Sequence, residues 1–290
     1  MGLNRAEAMF ARGQYLVRPE LPNRIGVEGA GVVTALGEGV SDVAVGARVG
    51  ILAATDMTRY GTGAEKVVLP RSALLPDVPG QGDLELAAFW MAYLTAYGGM
   101  VQTGRLAEGE TVLISAASSS VGLAAIELAK HVGARAVATT RGPAKRDRLL
   151  EAGADRVIVT DQASVADAGE RFDLVFDAVA GPFAAEAGSA LAPGGRLVVY
   201  GALAGAEVTP FPLRAAFARE VTMTAFHLGF HVMQVEARRA DALRWLTEHA
   251  AKAPLRPIID RTFPFDQLAD AYRHLEASEQ FGKVVVRVAA

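Results

Sequence analysis

Between residues 111 and 200 short, continuously apolar runs alternate with segments of helical character, and this rhythm limits the fold more than any other property of the chain. Thr111-Val112-Leu113-Ile114-Ser115 reads as a buried strand and 121–132 as a helix. A second strand over 135–139 and a second helix over 144–152 follow, then strands over 156–159, 173–176 and 196–200. A strand that is apolar at every position has no face to give to water, so helices must cover both sides. Strands joined through helices lie parallel. The expected fold class is α/β, built on a doubly wound parallel sheet.

The flanks read differently. Val27-Glu28-Gly29-Ala30-Gly31-Val32-Val33, the run 42–49 and the run 64–70 are short, β-branched and punctuated by glycine or proline. They predict a small, strand-rich barrel or sandwich. The C-terminal part carries a helix over 236–252, an extended piece over 256–260, a helix over 267–277 and a last strand over 282–288. These pieces leave the strand–helix rhythm and are expected to pack back on the first segment. The domains expected are 1–92 with 233–290, discontinuous, and 93–232 between them. Hydrophobic residues make up 51% of the chain and charged residues 21%, enough for sizeable cores and against disorder.

Several classes of function are excluded on the same grounds. A formal net charge of −3 gives no reason to expect a nucleic-acid partner. No apolar run reaches the ~18 residues of a membrane span, and the first residues do not read as a secretory signal. The chain has no cysteine, so disulfides, thiolate-bound metal and a cysteine nucleophile are all ruled out. A cytoplasmic protein is expected.

The strongest chemical signal is Ser115-Ala116-Ala117-Ser118-Ser119-Ser120-Val121-Gly122, which ends a strand and opens a helix. A dinucleotide fingerprint would read G-x-G-x-x-G; its glycine positions hold Ala117, Ser119 and Gly122. Small side chains still admit a diphosphate, the serine hydroxyls add donors, and a helix start supplies free N–H groups. Read alone, such a turn is equally an N-cap. The end of the next strand decides which cofactor to expect. An NAD site places Asp or Glu there for the ribose 2′-hydroxyl. This chain has Thr139, Thr140 and Arg141, with Lys145 and Arg146 beyond. Arginine is the natural partner of a 2′-phosphate, so NADPH is expected, the alternative being a solvated basic helix start. Ligands of such sheets bind beyond the carboxyl ends of the strands. Ala178 and Val179 end one strand, and Tyr200 and Gly201 end another, so these four should border the nicotinamide half.

In order along nearly the whole chain, Gly2-Leu3-Asn4-Arg5-Ala6-Glu7, 26–33, 45–49, Tyr93-Leu94-Thr95-Ala96-Tyr97, the serine turn, 150–155, Pro193-Gly194-Gly195-Arg196 and Phe281-Gly282-Lys283-Val284-Val285 resemble the medium-chain dehydrogenase/reductase superfamily. The likeness is to its zinc-independent, quinone-oxidoreductase-like branch. It implies a GroES-like catalytic domain beside a Rossmann-type NADP-binding domain, with the cofactor in the cleft. Hydride would pass to a quinone or an α,β-unsaturated carbonyl. Enoyl-thioester reduction, a zinc-free alcohol dehydrogenase-like reaction and a non-catalytic NADPH-binding role are alternatives. A homodimer is implied, for which the strand around 221–226 is an expected edge. Zinc-dependent relatives carry His-Glu where this chain has Val27-Glu28; valine cannot ligate a metal, so no metal site is expected. His227 and His231 are four apart but lack a third ligand.

The resemblance also assigns residues. Asn4 and Thr95 should lie near the nicotinamide, and Tyr93 is the candidate proton donor or carbonyl binder, equally a core tyrosine. Arg12 and Tyr15 are candidates for the substrate mouth, equally surface residues. Phe281, Gly282 and Lys283 should close the cleft, although Phe281 is equally plain packing. Relatives carry tyrosines at the places of Met9 and Gly63, so phenol chemistry is not available there. They also have on the order of forty residues before the Gly-Leu-Asn segment, several strands of usual length, so either the start is assigned late or the barrel is N-terminally incomplete.

Overall fold

The computed structural model describes residues 1–53, 56–205 and 208–288. In chain order the elements begin with α1 (Arg5–Ala11), β1 (Glu28–Val32), β2 (Arg48–Leu52), β3 (Leu74–Leu75) and α2 (Asp83–Ala96). Then come β4 (Thr111–Ile114), α3 (Ser120–Val132), β5 (Arg135–Thr140), α4 (Arg146–Glu151), β6 (Arg156–Val159) and β7 (Phe172–Asp177). The series continues with α5 (Gly181–Ser189), β8 (Leu191–Val199), α6 (Leu213–Arg219), β9 (Thr222–Ala225) and α7 (Glu236–Lys252). It closes with β10 (Ile259–Pro264), α8 (Leu268–Ala277) and β11 (Lys283–Arg287). Two compact units divide the chain: Met1–Met91 with Trp245–Ala290, and Ala92–Arg244.

The second unit is the α/β part. Six strands lie in the order β6-β5-β4-β7-β8-β9, and every pair is parallel. Leu113, Val137, Val175 and Leu197, one from each of four strands, meet Ala184, Ala187 and Ala215 of α5 and α6 in one buried cluster. The alternate positions Val112, Ala136, Leu174 and Val198 are equally buried, as are Ala125, Leu128 and Ala129 of α3. A sheet buried on both faces explains the apolar strands, each large side chain contributing about 1.5–3 kcal/mol. α3 stops at Gly133, which takes the left-handed conformation (φ 81°, ψ 21°) that closes a helix without strain.

In the first unit β1, β2 and β3 form an antiparallel sheet, and β10 and β11 a parallel pair. Gly2 makes single antiparallel bridges to Glu28 and Val285. The strands expected over 42–49 and 64–70 differ: β2 starts only at Arg48, and 64–70 joins no sheet. Val68 is 89% exposed, so β-branching there has no surface to cover. No helix among the described residues is long and apolar enough to cross a membrane.

Candidate functional site

The sheet order turns back at β4 and β7: from β4 the chain works outward through β5 and β6, from β7 through β8 and β9. A crevice beyond the carboxyl ends of two such strands is where open α/β sheets take their ligands. The serine turn leaves β4 at that point. Ser119 is the N-cap of α3, extended at φ −73° and ψ 163°, and its Oγ accepts from the Gly122 N–H at 3.0 Å. The Ser120 and Val121 amides, ahead of Gly122, have no acceptor among the described residues. A Cβ on Gly122 would sit 2.6 Å from Ala117 Cα and O, so this position admits only glycine. Ala117 is fully buried beneath that contact and gives its N–H to Thr139 O at 3.3 Å. It shapes the turn from below, and the half-buried lip is made by Ser118, Ser119 and Ser120.

Basic residues follow the end of β5. Lys145 Nζ donates to Ser118 Oγ at 3.4 Å. Arg141 is exposed, and its guanidinium makes no bond among the described residues. Thr140 Oγ1 donates to Gly142 O at 3.2 Å, holding the strand end. No carboxylate occupies the last positions of β5. The arrangement offers fixed amides and hydroxyls for a diphosphate and two cations for a further anionic group.

At the foot of the crevice Ser115 and Asp177 form a buried pair. Ser115 Oγ donates to Asp177 Oδ1 at 2.6 Å and accepts from Ala178 N at 2.7 Å. Val179 N donates to Asp177 Oδ1 at 2.8 Å and Ala180 N to Oδ2 at 2.9 Å. Burial pushes the Asp177 carboxyl above the ordinary aspartate range, against the pull of those donors. The segment they hold is strained: Ala180 has φ 62° and ψ −160°, a region otherwise kept for glycine, at a cost of about 1–3 kcal/mol. Gly181 follows with φ 57° and donates to Thr209 Oγ1 at 3.2 Å. Ala178 O and Val179 O accept from Leu203 N and Ala204 N, and a Cβ on Gly201 would meet Ala178 O at 2.8 Å. A hollow of about 390 Å³ opens beside Ala180, Gly201 and Thr209.

Tyr200 stacks on Phe176, with ring centroids 4.0 Å apart and planes at 19°. Its hydroxyl is buried without a hydrogen bond among the described residues, facing the Ser119 side chain. Burial and the Asp177 charge push the phenol well above its usual pKa. Tyr200 thus keeps a proton beside the turn.

Tyr93 is fully buried on α2 and its hydroxyl donates to Glu127 of α3. Burial and the Glu127 charge hold that phenol far above its ordinary value. Thr95, on the same helix, is buried. Lys283, expected at the cofactor, is 1% exposed inside the first unit and pairs with the buried Glu28. Gly282 takes φ 112° where a Cβ would collide with the Ile258 carbonyl, and Phe281 is buried with its N–H on Asp260 Oδ1 at 2.9 Å. Each of the three tail residues makes these contacts within its own unit.

Asn4 belongs to the Lys283 cluster. Its Oδ1 accepts from Lys283 Nζ at 2.6 Å, and its Nδ2 donates to Glu7 Oε1 at 2.9 Å and Glu28 Oε2 at 3.4 Å. Tyr272 donates to Glu7 Oε2 at 2.6 Å, and Met91 N to Glu28 Oε1 at 2.7 Å. Burial raises the Glu7 pKa, opposed first by Tyr272 and Asn4 and then by Lys283. Sequence reasoning missed Glu7, Glu28 and Tyr272 as a set. The available signal was Glu28, a charge inside a run otherwise fit for a buried strand. Val27, also buried, packs with Phe10 and Met57, and Tyr15 leans on that cluster. Arg12 pairs with Glu276. His231 Nδ1 accepts from His227 N at 3.1 Å, so these rings turn onto the backbone. Among the described residues no group of three or more His, Asp or Glu is arranged to hold a metal.

Comparison with known proteins agrees with this geometry. Residues 1–82 match the family profile described as alcohol dehydrogenase GroES-like domain, and 152–286 match zinc-binding dehydrogenase. The synaptic vesicle membrane protein VAT-1 homolog of Homo sapiens is 32% identical over 98% of this chain and 76% of its own length. A phenolphthiocerol/phthiocerol polyketide synthase chain of Mycobacterium tuberculosis is 33% identical over 99% of this chain, which spans only 13% of that protein. The quinone oxidoreductase from Thermus thermophilus, solved also as its complex with NADPH, superposes with a TM-score of 0.83 at 33% identity, covering 99% of this chain and 88% of its own. The chain belongs to the medium-chain dehydrogenase/reductase superfamily of oxidoreductases, on its quinone oxidoreductase-like branch.

Proposed function

We propose that this protein is an NADPH-dependent reductase that passes hydride to a quinone or an α,β-unsaturated carbonyl without help from a metal. The observation that carries the reading is the lip of the crevice: three serines at a helix start, Lys145 on Ser118, Arg141 just past the end of β5 and no carboxylate at that end. The residues fit the dinucleotide. Gly122 gives the close approach, Ser120 and Val121 offer amides to the diphosphate, and Tyr200 holds a buried hydroxyl that lacks a partner among the described residues. Arg141 and Lys145 would hold the 2′-phosphate. Ala178, Val179, Tyr200 and Gly201 would border the nicotinamide half. The bound cofactor supplies the hydride; the protein orients it and keeps water away. The NADPH complex of the Thermus thermophilus enzyme supports the choice of cofactor.

The test is NADPH oxidation followed by absorbance with 1,4-benzoquinones and with enones. Turnover of one class is expected; binding of NADPH with no turnover of either would refute the quinone and enone reading. Reduction of an enoyl thioester is the second reading, favoured by the likeness to a segment of a polyketide synthase. Crotonyl thioesters in the same assay separate it from the first. The protein is further proposed to be cytoplasmic and to form a homodimer through β9, which ends the sheet with its far side unpaired among the described residues.

A further inference from the structure

Ser115 and Asp177 have no exposed surface, so neither can touch a bound molecule. They nevertheless join the ends of β4 and β7, the two strands at which the sheet order turns back. One carboxylate takes three donors, and two of these are successive amides of the same segment, Val179 and Ala180. Ser115 takes the amide before them, that of Ala178. Three consecutive N–H groups are thus captured by a single pair of side chains. The residue at the end of this clasp is the one that needs holding: Ala180, a residue with a Cβ, is kept at φ 62° and ψ −160°. Strain of this kind persists only where the surroundings over-determine it, and it gathers where a chain must present a fixed surface. Of this segment Ala180 reaches the hollow, whose wall also takes in Gly201, Thr209 and the β9 residues Met223, Thr224 and Ala225.

We propose that Ser115 and Asp177 are positioning residues for the cofactor: their hydroxyl–carboxylate pair locks the segment from Ala178 to Gly181 into its glycine-like course and so presets the wall that receives the nicotinamide half. The inference rests on the reading of the crevice as a dinucleotide site. Asparagine at 177 keeps the shape of the side chain but puts an N–H against an amide that needs an acceptor. Alanine at 115 removes both bonds of the hydroxyl, whereas threonine keeps them. Glycine at 180 enters the same backbone region without strain, so it should relieve the need for the clasp.

The test measures NADPH and NADP⁺ dissociation constants by fluorescence titration, alongside thermal melting, for wild type, Ser115→Ala, Ser115→Thr, Asp177→Asn, Ala180→Gly and the double variant Asp177→Asn/Ala180→Gly. Asp177→Asn and Ser115→Ala should weaken NADPH binding about tenfold or more, the loss of a charge-assisted hydrogen bond. Ser115→Thr should bind as wild type. The double variant should recover most of the affinity lost in Asp177→Asn. If the variants melt lower but bind NADPH as wild type does, or if glycine at 180 restores melting without affinity, the clasp is structural only and the proposal falls. Should Asp177→Asn fail to fold, the contrast between alanine and threonine at 115 decides alone. A wild-type protein that binds neither dinucleotide removes the reading of the crevice and the proposal together. Normal wild-type binding with unchanged variants removes only the proposal.

Discussion

Lys283 Nζ reaches Asn4 Oδ1 at 2.6 Å across 279 residues of chain, inside a cluster that also buries Glu7, Glu28 and Tyr272. A buried ammonium with one carboxylate in contact and a second one amide away is stable only as a set. Lys283→Met would leave Glu28 fully buried and without its cation. The expected cost is about 3–5 kcal/mol in urea unfolding. Adding Glu28→Gln to that variant should regain a large part of it. A single variant as stable as wild type would show that the cluster does not depend on the pair.

The same cluster sets a pH dependence. Burial holds the Glu7 carboxyl above its ordinary value of 4.5. The folded state therefore keeps a proton over a range where the unfolded chain has released it. The stability Glu7 contributes is complete below about pH 4.5 and is lost as pH rises through the raised value. Glu7→Gln should flatten that fall. Urea midpoints taken in steps from about pH 4 to about pH 7 would show it, and parallel curves for the two proteins would refute it.

Arg141 has an exposed guanidinium and no acid near it on β5. Arg141→Glu should weaken NADPH binding about ten- to a hundredfold while leaving NADH within a few fold, since only the former has a 2′-phosphate to lose. Fluorescence titration with both dinucleotides separates the outcomes. An equal loss for both would mean that Arg141 acts on something the two share.

Gly122→Ala would place a methyl group 2.6 Å from the backbone of Ala117. Backbone cannot swing aside as a flexible side chain does, so the turn and α3 must part. About 1–3 kcal/mol of stability should go with it, and NADPH affinity should fall as the helix start moves. Melting and titration on one preparation test both parts.

Much of the second unit was legible because its physics is local. A strand buried on both faces must be apolar throughout, and β6 falls on 156–159 as its residues imply. The serine turn was legible for a similar reason, because the contact of Gly122 with Ala117 spans only five positions. α2 escaped notice: Leu86, Phe89, Trp90, Tyr93 and Leu94 are all buried, so the helix has no polar face and its period does not show. The Lys283 cluster was hidden for the opposite reason. Its members are polar residues scattered from one end of the chain to the other, and only the fold reveals that each is the answer to another. Tyr93 reads alike as motif and as packing in one dimension; the Glu127 carboxylate that engages it lies on a different helix.

Where a dinucleotide turn usually relies on bare glycine, this one sets Ser118, Ser119 and Ser120 in a row. Each side chain narrows the conformations open to the unliganded chain, and Ser119 pins the first turn of α3 through Gly122. A loop held in this way has less conformational freedom left to lose when a ligand arrives. Less of the association free energy is then lost to ordering the loop, and more of it is left to tell one ligand from another.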